Sequence, residues 1–472
     1  MSRPPQHDAA ASFFGVSLST QNERSPRGSH FVKVVATVFG LFVLSAAFAS
    51  CKRPVVIPEE QVNPQLVVKV ATPPQGRKPS EGQNKLLGTG WYANVEVDSL
   101  NRIHVAWTDA DVGDVLYAVS APGSNALKTP QVVEHEGAVG SYLKLALAPG
   151  DVPILSYYQQ DRRVLRLSHR PKDYAALKAA GVLVDENQSQ LPTHPLFPGE
   201  DPPRPPEAGM GPLWHGEDVA FGEGLGIAGA FVVDKKGYPH LTSYTRGERM
   251  RYYVRPNDGP AFGRSVMERF EKIDVDPRAS GTYRMVTDLL VQDDGTVVAS
   301  YCHFNYVDAQ LRMAVRKKGE GLFDVVEAEP LLRRVDGWYS QLLPSIDGEN
   351  VEVYSVTTGN KLLLHSTFNP RQAAPFEKRE EIFGRPGAIA VARAKEGTLW
   401  ILTRGQGFKS LGETPGLWLI ELAQGDVGKA KKWVLEEGLV DDPWIDLALR
   451  PDGRPVAVWT AKDKMSIQMY AP

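Results

Sequence analysis

Short apolar strands alternate with tight polar turns along most of this chain, and one strand–turn–strand unit returns seven times. In the first unit, apolar and polar positions alternate over residues 95–98, a polar turn follows, and residues 103–108 alternate again. A period of two is typical of a β-strand with one more apolar face. The pattern therefore predicts a chain built from small, repeated β-sheets.

The turns of the seven units recur at similar intervals, with one exception. Their central positions are Asn101, Asp151, Gly237, Gly295, Gly348, Gly397 and Gly453. A unit of about 50 residues fits four short strands, which is the size of one blade of a β-propeller. We therefore predict an all-β fold, a seven-bladed β-propeller, with six or eight blades as alternatives if the second or fifth unit is misread.

The first unit shows the four expected strands, and the chain ends indicate how the ring closes. Strands A to D are expected at residues 94–98, 102–108, 115–120 and 131–134. The last unit has only three strands before Pro472, whereas residues 65–71 form a strand-like run without a unit. Because closure removes an exposed sheet edge, we expect residues 65–71 to supply the fourth strand of the last blade.

One interval between turns is much longer than the others and contains a proline-rich insertion at about residues 186–226. A short helix is expected just before it, at residues 172–181. If residues 182–184 form the outer strand of the second blade, the insertion lies on the face where strand A begins. If residues 218–221 form that strand, it lies on the opposite face. The sequence leaves both placements open.

The first 64 residues differ in character from the repeats. An uncharged apolar run of 16 residues, 34–49, follows a positively charged segment and is short for a membrane span of about 20 residues. Small residues then precede Cys51, which resembles a bacterial lipoprotein signal with Cys51 as the lipidated residue. We expect a signal peptide at 1–50, a tether at 51–64 and the propeller domain at 65–472. Ordinary cleavage near Ala49 and an uncleaved anchor are the alternatives. All three place the domain outside the cytoplasm, and the lipid anchor places it in the cell envelope, facing the periplasm or the exterior.

Charge and cysteine content narrow the function classes. The net charge is −3 and no basic block occurs in the repeats, which argues against a nucleic-acid partner. Apart from Cys51 the only cysteine is Cys302, so no disulfide framework is expected, and Cys302 reads as an inert thiol on a strand. No metal spacing, phosphate loop or nucleophile elbow occurs, so we expect no metal and no cofactor. A monomer is expected.

The turn motif carries a family resemblance. Residues 234–241 read Asp-Lys-Lys-Gly-Tyr-Pro-His-Leu, and residues 98–105 and 451–456 follow the same plan. This resembles the repeats of extracytoplasmic bacterial β-propellers of the sialidase-like type. The resemblance implies the fold and little about function, because most members of this type are uncharacterised. The Phe-Arg-Ile-Pro and Ser-x-Asp-x-Gly-x-Thr-Trp motifs of sialidases are absent, which argues against an enzyme. His104 and His240 occupy equivalent turns and are expected to be structural.

Aromatic residues precede strand A in five units, and these segments should meet at one rim of the central channel. Stacked rings suit sugar rings or peptide groups. The candidate ligand-binding residues are Tyr92, Tyr142, Tyr283, Arg284, Trp338, Tyr339, Arg385, Arg404, Trp444 and Asp446. Packing of these rings between blades is the alternative interpretation.

Two functions remain open from the sequence. The first is a non-catalytic, membrane-tethered propeller that binds a glycan or a protein partner. The second is a carbohydrate-active enzyme, a sialidase-like glycoside hydrolase or a polysaccharide lyase, with Arg284, Arg385 and Arg404 as the anion-binding group.

Overall fold

The computed structural model describes residues 85–472, except 110–112, 136, 170–213, 223–224, 226–228, 246–248, 255–269, 277–285, 305–308, 328–335, 358–361, 373–378, 385, 406–414, 427–428, 439–443 and 462–465. Across these residues the chain is all-β, with one 3-10 turn at Ala423–Gly425 and no α-helix. None of the described segments is a helix capable of crossing a membrane. Residues 1–84, with the expected signal peptide, Cys51 and tether, lie outside the described part, as does the helix expected at 172–181.

The strands form seven four-stranded antiparallel blades, each ordered A to D from the centre outwards. Blade 1 contains β1 (Lys85–Val97), β2 (Ile103–Asp109), β3 (Val115–Val119) and β4 (Gln131–Glu134). Blade 2 contains β5 (Ser141–Ala148), β6 (Val152–Gln159), β7 (Val164–His169) and β8 (His215–Phe221). Blade 3 contains β9 (Phe231–Val233), β10 (Pro239–Thr245), β11 (Arg249–Val254) and β12 (Glu271–Asp276).

The remaining blades follow the same plan. Blade 4 contains β13 (Asp288–Val291), β14 (Val297–Phe304), β15 (Ala309–Arg316) and β16 (Asp324–Glu327). Blade 5 contains β17 (Asp336–Pro344), β18 (Val351–Thr357), β19 (Leu362–Phe368) and β20 (Arg379–Gly384). Blade 6 contains β21 (Pro386–Arg393), β22 (Leu399–Gly405), β23 (Gly416–Leu422) and β24 (Lys431–Glu437). Blade 7 contains β25 (Ile445–Leu449), β26 (Pro455–Thr460), β27 (Ser466–Tyr470) and the first residues of β1.

The A–B turns confirm the sequence repeat. All seven predicted central positions have a left-handed backbone, with φ of 59° at Asn101, 63° at Asp151, and 91°, 85°, 73°, 91° and 82° at the five glycines that follow along the chain. In blade 1 the Asn101 amide donates to the Asp98 carbonyl at 3.0 Å, which closes the turn. Asparagine, aspartate and glycine tolerate this conformation best, which is why these residue types mark the repeat.

The ring of blades is closed, but a different segment closes it than the sequence predicts. Strand A of each blade contacts strand A of the next, from β1 through β25 and back to β1. Residues 85–89 of β1 pair with β27, while residues 90–97 pair with β2. The prediction that residues 65–71 fill the fourth position of blade 7 is therefore wrong. One long strand serves two blades because its register shifts between Leu86 and Gly88 and again between Trp91 and Asn94, which lets it bend.

The outer strand of blade 2 settles the placement of the insertion. Strand β8 includes residues 218–221, which pair with β7. The insertion therefore joins strands C and D of blade 2. Its ends lie on the face of the A–B turns, opposite the face where strand A begins. Residues 215–221, counted within the insertion by the sequence, belong to the blade.

The core is divided among the blade interfaces. Among the described residues, seven clusters of buried apolar side chains each lie between two neighbouring blades. This is the arrangement expected when each sheet is unstable alone and buries both faces against its neighbours. Cys302 is fully buried in one of these clusters, as predicted.

His104 and His240 are structural. His104 Nε2 lies 2.9 Å from Asp98 Oδ2 and its Nδ1 lies 2.5 Å from the Tyr117 hydroxyl. His240 repeats the arrangement in blade 3, with Nδ1 2.5 Å from the Tyr252 hydroxyl. Both histidines are buried, so they fix the A–B turn to strand C within their own blades.

Candidate functional site: the mouth of the central channel

Three of the predicted rim aromatics meet where strand A begins in blades 7, 1 and 2. The ring centroid of Tyr92 lies 4.3 Å from that of Trp444 and 5.6 Å from that of Tyr142, and Tyr142 lies 6.2 Å from Trp444. Their planes are tilted by 58–61°. We call these three residues the aromatic trio. All three side chains are half-buried.

Two members of the trio stand on an unusual backbone. Tyr92 has φ of 57° and Tyr142 has φ of 59°, the left-handed region that bulky residues rarely occupy. Both lie in β-bulges, where the register shifts between Trp91 and Asn94 and between Ser141 and Lys144. Bulges of this kind redirect side chains, and such strain concentrates at functional positions.

The trio is a closed cluster. Centroid separations of 4.3–6.2 Å are those of rings in direct contact, which leaves no space for a ligand between them. A ligand would therefore stack on the outer side of the cluster. The rings also serve packing, since Tyr92 lies against the blade 1–2 core and Tyr142 against the blade 2–3 core.

Below the trio, one position of strand A recurs around the channel; we call it the ring position. The shared A–B register identifies its members. In blade order they are Asn94, Lys144, Ala230, Asp288, Gln341, Ala390 and Asp446. Each trio residue precedes its own blade's ring residue by two positions. The aromatic layer thus lies directly above a polar one on this side of the channel.

Asp288 and Asp446 at the ring position link neighbouring blades. Asp446 Oδ2 accepts from the Val95 amide at 2.9 Å, and Asp288 Oδ2 accepts from the Leu342 amide at 2.7 Å. The two donating amides, of Val95 and Leu342, occupy equivalent places in the next blade. Burial raises the pKa of Asp288 to about 6, against the opposing effects of the two amide hydrogen bonds and of Lys144. Burial likewise raises the pKa of Asp446, against the Val95 amide and Lys144.

Glu96 is a further channel residue that the sequence does not single out. It follows Asn94 by two positions on the same side of β1 and is half-buried. Burial, and secondarily the charge of Asp446, raises the pKa of Glu96 to about 8. This carboxyl group is therefore mostly protonated at neutral pH and can donate a hydrogen bond.

Arg404 is expected on the rim, but its side chain lies at the interface between blades 6 and 7. Its side chain is 3% exposed, and its Nη2 donates to the Thr460 carbonyl at 2.7 Å. Tyr244 makes the equivalent link from blade 3 to blade 4, through its hydroxyl to the Cys302 carbonyl at 2.7 Å. The sequence could not show this, because the equivalent position carries different residue types in different blades.

The other predicted residues are distributed as follows. Tyr339 is half-buried and packs against the cores between blades 5 and 6 and between blades 6 and 7, and it makes no ring contact with the trio among the described contacts. The backbone of Trp338 lies in β17, and its side chain is outside the described part. Tyr283, Arg284 and Arg385 lie outside the described residues, so joint contact of the three arginines with one anion stays a prediction.

A cavity of about 480 Å³ lies at the other end of the channel, between the A–B ends of blades 1, 2 and 3. Its walls include Glu96, Asp98, Asp151 and Asp234. The three aspartates are engaged with the turns, as in the hydrogen bond from Ser99 Oγ to Asp151 Oδ2 at 2.5 Å. Within the described part of the chain, no group of three or more His, Cys, Asp or Glu side chains is arranged to hold a metal ion.

No known protein family and no curated protein matches this chain. Solved structures share its fold. The β-propeller domain of the Trilobed protease from Pyrococcus furiosus is 8% identical with a TM-score of 0.43, over 81% of this chain and 94% of that one. A protein of unknown function from Dyadobacter fermentans DSM 18053 is 8% identical with a TM-score of 0.44, over 83% and 98%. The NanB sialidase from Streptococcus pneumoniae is 8% identical with a TM-score of 0.37, over 82% and 68%. These similarities concern the propeller fold alone.

Proposed function

We propose that this chain is a non-catalytic binding propeller, tethered at the bacterial cell envelope, that binds a glycan or a protein ligand at the mouth of its channel. The aromatic trio carries the proposal. Two tyrosines held in a left-handed backbone and one tryptophan present ring faces beside a polar channel. Aromatic platforms of this kind offer large contact area to a sugar ring at low entropic cost.

The test is a glycan array probed with the full-length chain, together with a turnover screen on the same glycans. The proposal predicts retention of a glycan without product formation. If the array is silent, pull-down from an envelope extract follows, with wild type compared with Trp444→Ala. Loss of a captured protein in that variant supports a protein ligand, whereas identical capture by both chains contradicts the mouth as the binding surface.

The second candidate is a carbohydrate-active enzyme, and the carboxyl groups of the channel favour it. Glu96, with a pKa of about 8, is an acid that stays protonated at neutral pH, while Asp446 lies within its electrostatic range. Glycoside hydrolysis uses a pair of carboxyl groups, one of which is a general acid with a raised pKa, and Glu96 fits that role. Glycan turnover that is lost in Glu96→Gln would support the enzyme and contradict the non-catalytic proposal.

The envelope tether rests on Cys51 and the apolar run before it. Cells expressing the chain are fed a fatty-acid analogue, with Cys51→Ser as the matched control. The proposal predicts label on the wild-type chain alone. Absence of label from the wild-type chain, or equal label on both chains, contradicts lipidation at Cys51.

A further inference from the structure

Lys144 is the one ring-position residue with a positive charge, and it faces two carboxyl groups across the channel. It lies on β5, half-buried, two residues after Tyr142 of the trio. Its charge acts on both Asp288 of blade 4 and Asp446 of blade 7. Side chains from three separate blades thus converge on one region of the channel.

The donors of Lys144 are available to a ligand. Among the residues that the structure describes, its ammonium group makes no direct hydrogen bond or ion pair. An ammonium group has three N–H donors that need acceptors. The charges of Asp288 and Asp446 attract the Lys144 ammonium group at longer range. They do not occupy its N–H donors.

The Asp446 carboxylate can accept further hydrogen bonds. Each oxygen of Asp446 accepts one backbone amide, from Val95 and from Leu447, both at 2.9 Å. A carboxylate has about four lone-pair sites, so acceptor capacity remains for a ligand hydroxyl. These amide bonds also fix the carboxylate in place, which limits the entropy lost on binding.

Groups of both charge signs line this region. One ammonium group faces the Asp288 and Asp446 carboxyl groups, whose pKa values are raised by burial, and Glu96 is mostly protonated at neutral pH. An anionic sugar would place its charge next to these carboxylates, whereas a neutral sugar meets donors and acceptors together. Ala230 and Ala390, at the ring positions of blades 3 and 6, have no long side chain to fill the space.

We propose that the channel mouth selects an uncharged sugar, with Lys144 donating to one ring hydroxyl, Asp446 accepting from a neighbouring hydroxyl, and the sugar face stacking on the aromatic trio. This inference rests on the proposed binding function and specifies its ligand class. It also assigns Lys144 as a specificity residue.

The test uses immobilised pairs of matched oligosaccharides, galactosides with galacturonides and glucosides with glucuronides, probed with the full-length chain. We expect a neutral member to bind at least about tenfold more tightly than its acidic partner. Lys144→Met should weaken that binding at least about tenfold, the loss expected for a charged hydrogen bond, and Lys144→Arg should retain part of it. Lys395→Met, at an exposed A–B turn, is the matched control and should bind as wild type.

The outcomes separate the two proposals. Binding that is lost in Tyr142→Ala but unchanged in Lys144→Met, or preference for the acidic member, overturns this inference and leaves the binding function standing. No binding to any member contradicts a carbohydrate ligand in both. Thermal unfolding of each variant checks folding, and the Lys144→Arg result decides the matter if Lys144→Met does not fold.

Discussion

At the scale of single residues, the sequence predicts some of the side chains at the channel mouth and misses others. The rim aromatics could be predicted because they recur before strand A. Lys144, at the ring position, and Glu96, two residues after that position in its own strand, could not be predicted, because residue types vary between blades at these positions and only the register shows which positions are equivalent. A signal existed in the two-residue spacing after Tyr142, but a lone lysine on a strand is usually a solvated side chain.

The left-handed backbone at Tyr142 predicts an inverted order of stability for two variants. Glycine normally destabilises a strand relative to alanine, but at φ of 59° it avoids the steric cost that alanine retains. We expect Tyr142→Gly to be more stable than Tyr142→Ala by about 1 kcal/mol in urea denaturation. The control pair at Tyr158, on regular strand β6, should show the normal order. A greater stability of Tyr142→Ala than of Tyr142→Gly would contradict the bulge geometry.

The raised pKa of Glu96 predicts a pH-dependent contribution to stability. The folded-state pKa of about 8 exceeds the unfolded value of about 4.5, so the folded state holds a proton that the unfolded state releases between these pH values. Stability from this group is fully present below pH 4.5 and is lost as pH rises to about 8. Relative to wild type, Glu96→Gln should therefore become progressively more stable from pH 4.5 to pH 8 in urea denaturation.

Exposed Glu396 gives the matched control for that series. Glu396→Gln should keep a constant offset from wild type over the same range. A constant offset for Glu96→Gln as well would mean that Glu96 is solvated in the folded protein.

At the scale of secondary-structure elements, the strands and turns could be predicted from the sequence. The side-chain hydrogen bonds that join neighbouring blades could not. The seven A–B turns follow from local sequence, because a left-handed residue must close each turn. The links between blades join residues from different units. Glu436 accepts from Trp459 Nε1 at 3.1 Å, and Asp276 accepts from the Tyr301 hydroxyl at 2.9 Å at the equivalent interface. Acceptor and donor lie about 25 residues apart on different sheets, so no local pattern reveals them.

Arg404 provides a test of these links. Replacing it with methionine leaves the buried Thr460 carbonyl without this donor, which costs about 1–3 kcal/mol. Exposed Arg371 is the control, and Arg371→Met should change the free energy of unfolding by less than about 0.5 kcal/mol. Ligand affinity should be unchanged in Arg404→Met. Weakened binding without loss of stability would instead favour the anion-binding role expected from the sequence.

At the scale of the whole molecule, the chain's blade number and closed ring were predictable, but not the closing segment. Residues 65–71 have the stronger strand pattern, yet residues 85–89 pair with β27, although Gly88 lowers their β-propensity. Tertiary pairing outweighs this local preference, because residues 85–89 continue a strand that already lies next to the last blade.

Two internal deletions test this closure. A chain lacking residues 52–84 keeps the β1–β27 ladder and should unfold cooperatively near the wild-type midpoint. A chain lacking residues 52–89 loses the ladder and exposes the edge of β27, so we expect a loss of about 2–4 kcal/mol in urea denaturation. If the two deletions destabilise the protein equally, the segment before residue 85 closes the ring, and residues 85–89 do not.

The most direct test of the binding function is ligand affinity at the mouth, measured by calorimetry with whichever glycan the array retains. Tyr142→Ala/Trp444→Ala removes two rings of the trio, and Leu322→Ala removes an exposed apolar side chain on the opposite face. We expect the double variant to lose at least about tenfold in affinity, because stacking of a nucleobase on one aromatic ring is worth on the order of 1–3 kcal/mol and two rings are removed, whereas Leu322→Ala should bind as wild type. Unchanged affinity in a folded double variant would contradict binding at the mouth.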